Sequence, residues 1–375
     1  MNGVPERWAW AEVDLDAIEH NVRALRELVA PSALLAVVKA DGYGHGAVPV
    51  ARAALAAGAA SLGVALTQEG IELRAAGIDA EILLLSQQPT EQAAAIVAHR
   101  LTPVVYTPEG VRALAAVAPP GYPVQVKVDT GMHRVGVAPA DAVALVDAVV
   151  AAGLGWAGVF THLAIADEPL DPFTAVQLAE FDAVLAALRT AGHEPPLVHT
   201  ANSAGLLAHP AARRDVVRAG IAMYGIEPGP ELGSHVAGLR PAMALTSRVS
   251  HVKRVTAGER ISYGLRYTFG GDANVATVPI GYADGVPRRL AGTGGQVLIG
   301  GHRLPIAGVV TMDQLTVDAG DLPIRVGDEV VLLGRQGQEQ IQAEEWAERL
   351  GTIPYEVVCG VSARVPRRYT GGSAS

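Results

Sequence analysis

Between Leu34 and Arg218 eight short β-rich runs alternate with alanine-rich amphipathic stretches. The runs fall near residues 34–39, 61–65, 81–85, 102–106, 123–128, 156–160, 196–199 and 215–218, with helical spacing between them, for example over 47–57, 141–152 and 175–188. Continuous apolar runs suit strands buried on both faces, and an intervening helix returns the chain so that successive strands pair in parallel. Eight such units in about 200 residues predict an α/β chain built on a (β/α)8 TIM-like barrel, its closing helix short or displaced. The alternative is an open doubly wound sheet. That fold uses fewer strands and places G-x-G-x-x-G after the first, and the loop here, KADGYGHG, does not match it.

A length of 375 residues leaves room for a second domain. Composition shifts at the Gly- and Pro-rich segment 229–241, which reads as a linker. Beyond it the pattern turns to β, over 243–255, 275–280, 296–299, 303–310, 314–317 and 329–333, interrupted by one late helix at 343–350. Residues 8–15 alternate and then give way to helical spacing through Ile18, Val22, Leu25 and Leu28, with Asp14 or Asp16 as the cap. The expected division is an N-terminal strand, 1–12, associated with the C-terminal domain; a barrel, 13–238; a C-terminal mostly β domain, 239–371; and a disordered tail, 372–375.

A net charge of −9 gives no basic footprint for nucleic acid, so the expected partner is a small molecule. The single cysteine, Cys359, forms no intrachain disulfide, reads as a small buried hydrophobe and suits the reducing cytoplasm. The N-terminus has no apolar signal core, and the mildest stretch, 53–66, is broken by Gly58 and Gly63 and falls short of the roughly 20 residues a spanning helix needs.

In a barrel of this kind the strand ends and the loops after them build the active face. Lys39 and Tyr43 follow the first strand; Lys127, Asp129 and Arg134 the fifth; His162 the sixth; His199, Asn202 and Ser203 the seventh; Arg218, Gly220 and Ile221 the eighth. Singly each has a plain reading: a helix cap for Ser203, a surface ion pair for Arg134, a core histidine for His199. Together they converge on one face. The loops after strands seven and eight commonly hold phosphate, and here TANSAG offers a hydroxyl at a helix start while RAGIAMYG offers backbone N–H groups. A phosphorylated ligand with its far end near a Schiff-base-forming lysine points to pyridoxal 5'-phosphate, PLP.

The motifs VVKADGYGHG, KVDTGMHRVG, THLAIADE, ANSAG, VRAGIAMYG, ISYG, IGYADGVPRRL, TMDQ and IPYEVVCGVSARVPRRY, in this order, resemble those of the alanine racemase family. The resemblance implies that Lys39 holds PLP and acts as one base, and that the partner subunit's Tyr263 acts as the opposite base in a homodimer with shared sites. It implies phosphate and cofactor contacts from Tyr43, Arg134, His162, Asn202, Ser203, Arg218, Gly220, Ile221 and Tyr355, and no metal. Substrate carboxylate would meet Arg134 and the backbone N–H of Met312 from the partner. Lys127, at the family spacing for a carbamylated lysine, would place Arg134, with His199 and Asp313 supporting. Asp167, Tyr282 and Arg288, beside Tyr355, would line a narrow approach suited to alanine. Lysine and tyrosine ordinarily titrate at about 10.4 and about 10, so cationic neighbours are needed to make either a base. Thr311, Pro354 and Gly42 depart from the commoner residues without touching the chemistry, and His45 has no chemistry assigned to it. The implied function is interconversion of L- and D-alanine for peptidoglycan; a racemase for another small amino acid such as serine, and a PLP-binding regulatory protein, are the alternatives.

Overall fold

The computed structural model describes residues 7–235 and 238–372; most of the tail expected at 372–375 and the first six residues of the N-terminal segment lie outside them. The chain divides into two compact units, Asp16–Arg240 with Gly372–Ser375, and Met1–Leu15 with Pro241–Gly371.

The first of these is the barrel. Ile82–Leu84, Ser61–Val64, Ala33–Val37 and Val216–Ala219 form one parallel four-stranded sheet, and Val104–Val105, Pro123–Lys127, Gly155–Phe160 and Val198–His199 form another. A parallel bridge from Leu83 to Thr102 joins them at one seam, and the bonds Asp215 N–H to Val198 O and Arg218 N–H to Ala201 O join them at the other. Eight parallel strands therefore close on themselves. Leu34, Leu35, Ala36 and Val37 are all buried, as expected of a strand covered on both faces. The helices turn one apolar stripe inward: in Ala142–Ala151, Leu145, Val146 and Val149 are buried while Val150 faces water. Parallel register sets Lys127 beside Phe160 and Phe160 beside His199, so three side chains of the active rim share one level.

The second unit is a mostly antiparallel sheet in the order His251–Val255, Ala273–Val278, Leu315–Asp318, His302–Ala307, Gln296–Ile299, Glu329–Gln336, Met243–Arg248, Ala9–Asp14 and Arg367–Thr370. The run read as one strand over 243–255 is two. Val249 exchanges backbone bonds with Asp328 and Gly327, and the chain then leaves one partner strand for another. Apolar patterning cannot report that change, because both pieces keep the same period. Arg260–Ile261, Tyr267–Thr268, Glu339–Ile341 and Arg367–Thr370 are strands too short or too charged to show in the sequence, and Pro354–Cys359 is a second late helix. Cys359, expected to be buried, is exposed: Val357 and Val358 of the same helix take the inward positions. Among the described residues no helix is long and apolar enough to cross a membrane.

Candidate active site

Lys39 opens a turn unlike any other among the described residues of the barrel. Ala40, Asp41, Gly42 and Tyr43 all have positive φ, between 52° and 58°, so the chain makes one left-handed turn immediately after the strand Ala33–Val37. Each L-residue in that conformation costs roughly 1–2 kcal/mol, so something must hold it. Glu69 accepts the Ala40 N–H at 2.6 Å and also those of Ala65 and Leu66; Asp41 accepts from Ala47; and His45 Nδ1–H bonds the carbonyls of Gly42 and Tyr43. The His45 ring packs on Tyr224, whose hydroxyl reaches Val37 O, the last residue of the strand. His45 thus staples the turn that carries Lys39. Glu69 was invisible in the sequence because its role is long-range, although a glutamate in a first helical turn is a known amide acceptor.

Arg218, at 3% exposure, donates from Nη1 to His199 Nδ1 at 2.9 Å and from Nη2 to Thr161 O, Thr200 O and His162 Nδ1. A guanidinium only donates, so both Nδ1 atoms are acceptors and both rings carry their proton on Nε2. His199 passes that proton toward Gln125 Oε1 at 2.7 Å, which fixes the orientation of the Gln125 amide. Burial first, then the charges of Arg218 and Lys127, hold both histidines well below their ordinary pKa, so they are neutral. Burial lowers Arg218 to about 9, leaving it cationic at neutral pH. The Phe160 ring stacks on His199 at 4.4 Å and is approached by both Lys127 Nζ and the Arg218 guanidinium.

Lys127 is 4% exposed and donates to Leu85 O at 3.2 Å. Burial, with the positive charges of Arg218, Arg134 and Lys39, lowers it to about 7. A large fraction is therefore a neutral, nucleophilic amine near pH 7. Arg134 lies on an exposed loop that Asp129 shapes by accepting the N–H groups of Gly131 and His133.

A cluster of hydroxyls and backbone N–H groups stands beside this network. Ser203 Oγ accepts the N–H of Gly220 at 2.9 Å and of Ala222 at 3.3 Å, and Ile221 follows with its backbone buried. A Cβ at Gly220 would lie 2.6 Å from the Tyr43 hydroxyl, so the glycine is what lets that hydroxyl approach the backbone beside Ser203. The helix cap is Asn202, which accepts from Gly205 N–H, not Ser203, whose hydroxyl is thereby available to this cluster. A buried cation, a hydroxyl pair and backbone amides at the C-terminal ends of the strands fit the phosphate and ring nitrogen of PLP. Asp167 packs against Gly229 within this same unit.

The remaining expected residues belong to the β unit. Tyr263 projects from a short turn after Arg260–Ile261 and is 74% exposed. Ser262, at φ +66°, is pinned to both backbone groups of Val309, and a neighbouring cavity of about 500 Å³ is lined by Tyr263, Val309, Thr311 and Gln314. Met312 is 53% exposed; Tyr282, Arg288 and Asp313 are exposed and Tyr355 is half-buried. Asp313 pairs with Arg364 at 2.7 Å.

Residues 13–228 match the family model "Alanine racemase, N-terminal domain" and residues 242–369 match "Alanine racemase, C-terminal domain". A protein named alanine racemase from Symbiobacterium thermophilum is 50% identical, covering 98% of each chain. Among solved structures, alanine racemase from D-cycloserine-producing Streptomyces lavendulae superposes with a TM-score of 0.93 at 42% identity, covering 99% of this chain and 98% of that one. Alanine racemase from Bacillus anthracis with bound L-Ala-P gives 0.92 at 38% identity, covering 98% and 96%. With both domain models matched in order and a full-length relative at this identity, the chain belongs to the alanine racemase family.

Proposed function

We infer that the protein is a PLP-dependent alanine racemase that interconverts L- and D-alanine, and that it works in the cytoplasm as a homodimer whose sites draw on both subunits, supplying D-alanine for peptidoglycan. The observation that carries this reading is the buried Arg218, held by four acceptors next to the close-set Tyr43, Ser203 and Gly220 at the strand ends.

When bound, PLP supplies an electron-accepting ring that acidifies the α C–H of the amino acid. Lys39 holds it through its amine. Tyr43, Ser203, Gly220, Ile221 and Tyr355 bind the phosphate, with Asn202 setting the helix start. Arg218 would be the partner of the ring nitrogen and, keeping its own protons, would leave that nitrogen unprotonated, which would restrain electron withdrawal and favour returning the proton over side reactions. Lys39 would move a proton at one face of the α carbon, and the partner subunit's Tyr263 would move a proton at the other. His162, with Nδ1 occupied by Arg218, offers Nε2–H to that tyrosine. Arg134 and the Met312 N–H of the partner hold the substrate carboxylate, and Asp167, Tyr282 and Arg288 line the approach. The neutral amine of Lys127 would add to carbon dioxide, forming an N–C bond and releasing one proton, so that a carbamate anion would stand among the cations and anchor Arg134.

The test is turnover of enantiopure amino acids by the PLP-loaded protein, followed by chiral chromatography. L- and D-alanine are expected to converge on one racemic mixture, with serine slower. Faster racemisation of another small amino acid would move the assignment to that substrate, and bound PLP without any racemisation would make the chain a PLP-binding regulatory protein.

A further inference from the structure

Asp284 sits in the GYADG stretch of the β unit, and the chemistry above does not use it. Its carboxylate is fully buried, yet it is surrounded by cations: Arg7 grips both oxygens at 2.6 Å, Arg364 Nε lies at 3.4 Å, and Gly281 N–H donates at 2.9 Å. Burial alone would raise its pKa, but these donors outweigh that and keep it lowered, so it is ionised. A buried ionised group this well paired fixes the geometry of whatever its partners hold.

Its partners hold the Met312 loop. Arg364 spans from Asp284 to Asp313 Oδ1, the residue after Met312. The loop containing Asp284 is zipped to the Met312 loop by Tyr282 N–H to Thr311 O and Ala283 N–H to Met312 O. The approach is so close that a Cβ at Gly281 would lie 2.3 Å and 2.4 Å from the Thr311 and Met312 carbonyls. From the other side, Ser362 donates its N–H to Asp284 O and its hydroxyl to Ala283 O.

We propose that Asp284, clamped by Arg7 and Arg364, is a positioning residue that locks its own loop, which carries Tyr282, against the loop carrying Met312, and so sets where the substrate carboxylate is held. This rests on the reading that the Met312 N–H binds that carboxylate. A carboxylate contact is made equally in the bound substrate and the transition state, and equally for both enantiomers, so loosening it raises KM and leaves kcat largely alone.

The decisive variant is Arg364→Gln, which cuts the link from Asp284 to Asp313 at a partly exposed side chain; Asp284→Asn is the deeper cut. Arg364→Gln is expected to raise KM for L- and D-alanine by the same factor, about tenfold, with kcat within about twofold and the cofactor absorbance unchanged. Amide exchange of residues 311–314, measured by mass spectrometry on the holoenzyme, is expected to accelerate about tenfold or more. Met312→Pro, which removes the N–H itself, is the control. If it raises KM while Arg364→Gln leaves both KM and exchange at wild-type values, the positioning role is wrong. If Met312→Pro leaves KM unchanged, the carboxylate reading fails and takes this inference with it.

Discussion

The two units place chemistry-bearing residues in opposite settings. In the barrel, Lys127, His199 and Arg218 are buried, and Arg218 alone joins two histidines and two carbonyls. In the β unit, Tyr263 and Met312 are exposed on short turns, held from behind by Ser262 to Val309 and by Arg364 to Asp313. The barrel side chains are rigid because leaving them unpaired in a low dielectric is costly. The β-unit groups are presented outward, and their precision comes from backbone geometry.

Breaking the barrel half should cost most. Lys39→Ala is expected to lower racemisation by about four orders of magnitude, read as initial rates in both directions. Tyr263→Phe should cost about 10²- to 10⁴-fold while the protein keeps PLP, which absorbance after gel filtration will show. Arg218→Glu should slow racemisation about a hundredfold and release keto acid, detected with a dehydrogenase, because an acidic partner lets the ring nitrogen take a proton. Gly220→Ala places a methyl 2.6 Å from the Tyr43 hydroxyl and should weaken PLP affinity, by about tenfold in a fluorescence titration.

Lys127 gives the smallest effect and the sharpest sign. Its pKa is about 7 in the folded protein, against about 10.4 in an unfolded chain. The unfolded state therefore binds more protons between those values, and its contribution makes stability rise with pH across that window. Lys127→Met should flatten the rise in denaturant midpoints between about pH 7 and about 9.5. Carbamylation, which also sheds a proton, acts in the same direction and should add the mass of carbon dioxide in native mass spectra above about pH 7.

Much of the barrel was legible because its strands are short, mostly apolar and evenly spaced: the run at 123–128 became Pro123–Lys127, and that at 156–160 became Gly155–Phe160. The late helix Ala343–Leu350 matched its pattern to the residue. The β unit was harder to read. Its edge strands carry charge, as in Arg367–Thr370, and one alternating run served two partner strands. The cluster at the barrel rim was visible as polar residues at strand ends, whereas Glu69, Gln125 and Asp284 were not, since each acts through a partner distant in sequence. His45 shows the same limit: among the glycines of its loop nothing marks it as the staple of a left-handed turn.

Whether the two settings combine into one site across two copies of the chain is decided by subunit complementation. Lys39→Ala and Tyr263→Phe homodimers are each expected to retain at most about a hundredth of wild-type activity. In a purified heterodimer of the two, one site carries both changes and the other carries neither, so racemisation should return at up to one wild-type site per dimer. A verified heterodimer no more active than its parents would contradict the shared site.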